Sequence, residues 1–150
     1  MIQVTRTNSD HPDFIALVKE LDILQAVVDG DDHAYYTQFN SLNKIKHVVL
    51  AHEDGQALGC GGIKEYEKDS VEVKRMFVSP AARKKGIAST VLSELERWAK
   101  ELKYTRCVLE THTGLTEAIA FYQKSGYKQI PNYGQYAEME NSVCFEKKLN

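Results

Sequence analysis

Between Ile87 and Leu102 apolar side chains recur at Ile87, Ala88, Val91, Leu92, Leu95, Trp98, Ala99 and Leu102, with Ser89, Ser93, Glu96, Arg97 and Lys100 opposite. A stripe of this period is an amphipathic helix that must lay one face on an apolar layer. The neighbouring runs supply that layer, because Val71 to Val78 before it and Arg106 to Thr111 after it read as strands. A helix crossing between two strands commits the chain to a layered fold built on a sheet.

The rest of the chain extends the pattern. Ile2 to Arg6 alternates as a short strand, and after Asp10-His11-Pro12 a first helix carries Phe14, Leu17, Val18, Leu21, Leu24 and Val28 on one face. Asp29-Gly30-Asp31-Asp32 breaks that pattern, and Tyr35, Tyr36 and Phe39 mark a short second helix. Lys46 to Glu53 and Gln56 to Tyr66 flank Asp54-Gly55, the signature of a tight hairpin, and the turn Glu67 to Ser70 leads into Val71 to Val78 as the third strand of a meander. Downstream come a helix from Glu117 to Lys124 closed by Gly126, a strand near Tyr127 to Ile130, and a last strand from Ser142 to Leu149. The order β-α-α-β-β-β-α-β-α-β-β predicts an α/β (α+β) domain over residues 1–150, with a mixed, mostly antiparallel central sheet and helices on both faces. Strand-like edges, the C-terminal run among them, suggest a two-fold homodimer.

Bulk properties narrow the function. Nineteen Lys and Arg against 21 Asp and Glu leave a net charge of -2, which disfavours a nucleic-acid partner. Cys60, Cys107 and Cys144 are scattered among apolar residues and read as reduced core positions. His47 and His52 stand an odd number of positions apart on one strand and face opposite sides, so no metal site is expected. With no signal segment at Met1 to Asp10 and no apolar run of membrane length, a cytoplasmic protein is expected.

The junction Ser79-Pro80-Ala81-Ala82-Arg83-Lys84-Lys85-Gly86-Ile87-Ala88 joins the third meander strand to the long helix. Basic residues alone are an ordinary solvated turn. At a helix start they add charge to unpaired backbone N–H groups and the positive end of the helix dipole, and Gly86 with Ala88 lets an anion come close. Neither a P-loop nor a dinucleotide glycine pattern is present.

The run Val78-Ser79-Pro80 with Arg83-Lys84-Lys85-Gly86-Ile87-Ala88 resembles the R-x-x-G-x-G/A signature of the GNAT acyl-CoA N-acyltransferases. Further on, Ala118-Ile119-Ala120-Phe121-Tyr122-Gln123-Lys124-Ser125-Gly126-Tyr127 resembles the A-I-x-[LF]-Y-x-x-x-G-[FY] segment of the same family. The resemblance implies a GNAT-like fold and acetyl-CoA as co-substrate. Backbone groups around Met76, Phe77 and Val78 would pair with its pantetheine arm, while Arg83, Lys84, Lys85, Gly86, Ile87, Ala88 and Ser89 hold the pyrophosphate. It also implies transfer of the acetyl group to an amine, here expected to be that of a small molecule. One departure stands out: Leu115 occupies the position, seven before Tyr122, where family members often carry Asn or Gln. Thr116 beside it is a candidate helix cap, and Thr113 a candidate substitute.

Amine attack on a thioester needs a group to take a proton. The resemblance places Glu72 where histone-acetylating members carry their base, and an exposed carboxylate paired with Lys64 or Lys74 is the competing reading. Glu110 and His112, at the end of the next strand, are rival bases. By periodicity Tyr122 is a core aromatic, and by resemblance it meets the departing thiolate. A non-catalytic acyl-CoA-binding module, or acetylation of a protein or peptide amine, is the alternative function.

Overall fold

The computed structural model describes residues 1–37 and 45–150. Within them the strands are β1 (Gln3–Thr7), β2 (His47–Glu53), β3 (Gln56–Glu67), β4 (Ser70–Val78), β5 (Arg106–His112), β6 (Lys128–Ile130) and β7 (Ser142–Lys148). The helices are α1 (Pro12–Asp29), α2 (His33–Thr37), α3 (Ile87–Glu101) and α4 (Thr116–Lys124). The order matches the sequence expectation element for element. Phe39, assigned to the second helix from the sequence, lies outside the described residues. No helix among the described residues is long and apolar enough to cross a membrane.

All seven strands form one sheet in the order β1-β2-β3-β4-β5-β7-β6. Every neighbouring pair is antiparallel except β4 and β5, the parallel pair that α3 connects. The C-terminal strand is therefore not an edge. β7 pairs with β5 on one side and β6 on the other, so the edges are β1 and the three-residue β6, and the expected dimer loses its C-terminal seam.

Two cores flank the sheet. On one face α3 buries Ile87, Val91, Leu92, Leu95 and Ala99, and α4 adds Tyr122 to the same cluster. On the other, Phe14, Leu17, Val18 and Leu21 of α1 pack on Val48, Leu50, Cys60 and Phe77. The apolar stripe read along α1 divides in the fold, since Phe14, Leu17, Val18 and Leu21 are buried whereas Leu24 is 37% exposed and Val28 is only partly covered. In the hairpin, Asp54 and Gly55 take positive φ angles of 52° and 80°, as the tight-turn reading requires.

The β3 sequence Gly59-Cys60-Gly61-Gly62 departs from ordinary strand composition; the packing of α3 explains Gly59 and Gly61, and that of Ile45 explains Gly62. A Cβ at Gly61 would run into Met76 Sδ, with Leu95 Cδ1 at 3.0 Å and Val91 Cγ1 at 3.1 Å. Opposite Gly61 the ladder slips: Cys60 pairs with Phe77 and Gly62 with Lys74, so β4 carries one extra residue there. Arg75 in this bulge has φ 60°. The bulge keeps Met76 on the α3 face and carries Lys74 and Arg75 together toward α1.

Gly61→Val should overfill this contact and cost about 1–3 kcal/mol of stability. Urea unfolding of the variant checks it, with a lowered midpoint at unchanged slope as the expected outcome.

Candidate active site

The β4–β5 ladder is short. Ser70 pairs with Arg106, Val71 with Cys107 and Glu72 with Val108, and there the pairing stops although both strands run on, β4 to Val78 and β5 to His112. The two strands part, and a cleft of about 810 Å³ opens between them and through the sheet. Its walls come from α1 on one face, from α4 and the N-terminal part of α3 on the other, and from the separated ends of β4 and β5.

At the α3 end the chain passes through the 3-10 turn Pro80–Ala82, then Lys84 at φ 68° and Gly86 at φ 76°. Gly86 is the N-cap, and no side chain caps the helix. The Thr90 backbone N–H and hydroxyl both bond Gly86 O, at 3.0 and 2.9 Å, leaving the first-turn N–H groups free of side-chain acceptors. A Cβ added at Gly86 would meet nothing within 4 Å, so the ground above it is open. Arg83 donates from Nε to Val78 O at 3.2 Å, and its guanidinium lies 6.0 Å over the Phe77 ring.

The sequence-derived residues Met76, Phe77, Val78, Arg83, Lys84, Gly86, Ile87, Ala88 and Ser89 all line this cleft. Lys85 does not; its Nζ turns away to Glu53 at 3.7 Å. Leu115 lines the cleft where an amide was the family expectation, and Thr113 does not. Thr116 is the first residue of α4 rather than its cap, and the N-cap position belongs to Leu115, which offers no side-chain hydrogen bond.

Glu72 and Glu110 stand on adjacent strands on the α1 side of the opening. Glu72 is 6% exposed and well held: Tyr133 donates to its Oε2 at 2.6 Å and Lys74 Nζ lies 3.7 Å from Oε1. Lys64 is its cross-strand register partner, so both lysines weighed from the sequence adjoin it. Burial lowers the Lys74 ammonium from its ordinary value, and the Glu72 carboxylate pulls the other way. Glu110 accepts from Ser142 Oγ at 2.7 Å, and that hydroxyl is 2.6 Å from Tyr36 Oη. Burial pushes the Glu110 carboxyl up to about 7; the Ser142 hydrogen bond opposes this and the Glu72 charge reinforces it. His112 lines the cleft, but its Nδ1 accepts the Gly114 N–H at 2.8 Å. That bond occupies the lone pair and leaves the other ring nitrogen carrying the proton, a poor arrangement for a base.

Tyr122 also lines the cleft, 8% exposed, between the rings of Phe121 and Tyr127 at 5.2 and 5.9 Å. Burial first, then the Glu110 charge, holds its phenol above the ordinary tyrosine value. The segment after it is locked. Gly126 takes φ 97°, the Tyr127 N–H returns to Tyr122 O at 3.0 Å, and the Tyr127 hydroxyl donates to Glu96 of α3 at 2.9 Å. His47 packs on Trp98 on one face of β2 while His52 reaches Asp13 on the other.

A family model described as the acetyltransferase (GNAT) family matches residues 15–127. The chain belongs to the GNAT family. Among its relatives, the uncharacterized N-acetyltransferase YjgM of Escherichia coli is 34% identical over 113 residues, covering 73% of this chain and 60% of that protein. Among solved structures, a candidate acyl-CoA N-acyltransferase from Klebsiella pneumoniae superposes with a TM-score of 0.84 at 27% identity, covering 100% of this chain and 99% of that one. The PaiA N-acetyltransferase of Thermoplasma acidophilum, solved in complex with coenzyme A, superposes with a TM-score of 0.74 at 19% identity over 99% of both chains. This GNAT chain thus has the fold of its family, with the two matching motifs at the α3 and α4 walls of the cleft.

The Glu110 carboxyl binds its proton more tightly in the folded chain than in the unfolded one, where a glutamate titrates near 4.5. Its contribution to stability is complete below that value and is lost as pH rises through about 7. Glu110→Gln cannot ionise. The stability of this variant relative to the parent should rise between pH 4.5 and 7.5 by on the order of 2 kcal/mol, read from denaturant midpoints across that range.

Proposed function

We propose that this protein binds acetyl-CoA in the cleft between β4 and β5 and transfers its acetyl group to an amine. The observation that carries the reading is the early end of the β4–β5 ladder. It leaves backbone donors and acceptors of Met76 to Val78 along an open edge, the kind of edge that an extended amide-bearing arm pairs with. At the end of that edge lie the uncapped α3 N-terminus, open Gly86, and the cations Arg83 and Lys84, which suit a pyrophosphate. The coenzyme A complex of the Thermoplasma relative, and the N-acetyltransferase name of YjgM, support the same assignment.

The chain's residues then divide the work. An amine arrives as an ammonium and must lose one proton before it can attack. Glu72 is the base that the resemblance implies, yet its oxygens are engaged by Tyr133 and Lys74. Glu110, poised near neutrality and facing the same opening, is the better placed acceptor, directly or through water. A β4 backbone N–H near Phe77 polarises the thioester carbonyl as negative charge gathers on its oxygen. The new nitrogen–carbon bond forms, the carbon–sulfur bond breaks, and the second amine proton leaves with the sulfur as a thiol. Tyr122, whose phenol is held above its ordinary value by burial, keeps its proton and donates a hydrogen bond to the departing thiolate.

Thiol release from acetyl-CoA in the presence of amines tests the activity, and calorimetric titration with CoA tests the site. Gly86→Val places a branched side chain at a positive φ over the anion ground and should weaken CoA binding by roughly 10- to 100-fold. Full retention of affinity would place the pyrophosphate elsewhere. Tyr122→Phe keeps the ring and its packing and should slow the chemical step by roughly 10- to 10⁴-fold in single-turnover measurements, with CoA affinity unchanged. Comparison of Glu110→Gln with Glu72→Gln assigns the base: the variant that removes the acidic limb of the kcat/KM profile has lost it.

A further inference from the structure

Lys74 and Arg75 are consecutive in β4, and in a regular strand their side chains would point to opposite faces. The bulge opposite Gly61 defeats that alternation and encloses both on the α1 side of the sheet, with side chains only 7% and 2% exposed. Both line the cleft. Two cations in one enclosed place are costly to bury, and at Arg75 the partners only partly match the guanidinium. Lys74 Nζ lies 3.7 Å from Glu72. Arg75 reaches α1, donating from Nη1 to Gln25 Oε1 at 3.1 Å and from Nη2 to Asp22, a carboxylate that is itself 54% exposed. Its Nε has no partner, and among the described residues it is the one buried side-chain nitrogen or oxygen of which this is true. A buried donor left unpaired is unfavourable unless something comes to accept from it.

The surroundings define what that something is. Around this end of the cleft, Leu24 and Val28 of α1 and the rings of Tyr36 and Tyr136 form apolar and aromatic walls, and Glu110 lies across the opening. We propose that the acceptor is a small amine that also bears a carboxylate and an apolar or aromatic body, an amino acid or a close analogue. Its carboxylate accepts from Arg75 beside Lys74, its body lies against Leu24, Val28 and the tyrosines, and its amine is turned toward Glu110. A polyamine fits less well, because its second cation would meet the Lys74 and Arg75 charges. This inference rests on the acetyl-transfer reading above and narrows it.

The test is thiol release from acetyl-CoA with matched sets: phenylalanine, phenylalanine amide and phenethylamine, and the leucine, leucine amide and isoamylamine counterparts. The free acid should be preferred within each set by at least about tenfold in kcat/KM, because a site built to pair a carboxylate rejects analogues that lack it. The amide has the less basic amine, so its chemistry is biased against this outcome. In Arg75→Gln the preference should collapse through a raised KM for the acid, with KM for acetyl-CoA unchanged; Arg75→Lys should restore part of it. Amides or bare amines used as well as the acids, or no acid used while CoA still binds, would overturn the proposal. A folded Arg75→Gln that keeps the preference would also overturn it. Should the variant fail to fold, the parent panel decides by itself. Absence of CoA binding to the parent chain is a different failure, that of the acetyl-transfer reading.

Discussion

The parallel pairing of β4 with β5 ends after three residue pairs, and the site depends on that ending. The bulge accounts for it. Glu72 is the last β4 residue paired with β5, and the extra residue of β4 follows a little further on, between the Lys74 and Phe77 register positions. A bulge bends its strand and increases its twist, so β4 turns out of the line that β5 follows. β5 does not turn with it, because its other side is committed to a seven-pair ladder with β7. The glycines of β3 belong to the same device. Gly61 faces the bulge without a side chain, which admits Met76 and lets Val91 and Leu95 of α3 settle closely over the bend. A local count of one extra residue is thereby converted into a cleft that runs through the sheet.

Opening a sheet exposes polar backbone and draws charged side chains into enclosed ground, so the cleft needs partners for both. Glu72, Lys74 and Tyr133 answer one another, and Glu110 is answered by Ser142, whose hydroxyl also meets Tyr36. These groups come from β4, β5, α2, β7 and the turn before β7, elements that the sequence holds far apart. Removing one member leaves a charge buried without its counterpart, which costs more than the pair contributes. At Glu110 burial outweighs the Ser142 hydrogen bond and the Lys74 charge, and the Glu72 charge adds to the penalty. A carboxyl in that position holds a proton near neutrality, where proton exchange with an amine is useful.

How much of this the sequence could disclose depends on the range of the interactions involved. The α3 stripe, the Asp54-Gly55 turn and the Gly126 stop are encoded within a few residues of where they act, and each is where the local pattern puts it. The GNAT motifs are equally local, and they lead to the α3 and α4 walls. Features set across the sheet were not legible. Nothing near β7 says that β6 returns to cover its second side, so the last strand read as an edge. Lys85 read with its neighbours as part of an anion cradle, and only the approach of the β2 end, carrying Glu53, turns it away. Nothing local marks Arg75, because strict alternation puts it on the opposite face of the sheet. A run of glycines in the facing strand was the one available signal of its true position, through the close approach that such glycines permit.

The net charge of -2 bears on how a polyanionic co-substrate would be held. A chain without a positive field at long range offers little steering, so the proposed coenzyme site must work at contact distance. At α3 it has the means: an uncapped helix N-terminus contributes fixed partial charges that need no reorganisation, and Arg83 is already tied to Val78 O beside the β4 edge. Such contacts are screened far less than a diffuse surface field, because the groups lie well within a Debye length of about 8 Å at physiological ionic strength. The proposed anion and acceptor ends therefore use charge differently. At α3 the positive ground is largely backbone and remains open, whereas at Arg75 it is a side chain enclosed by α1 and turned inward by a bulge. The acceptor proposed at Arg75 would lie between α1 and the parted strands, where Leu24 and Val28 also line the cleft. On that proposal Leu24 and Val28, which do not join the core of α1, serve to select the acceptor.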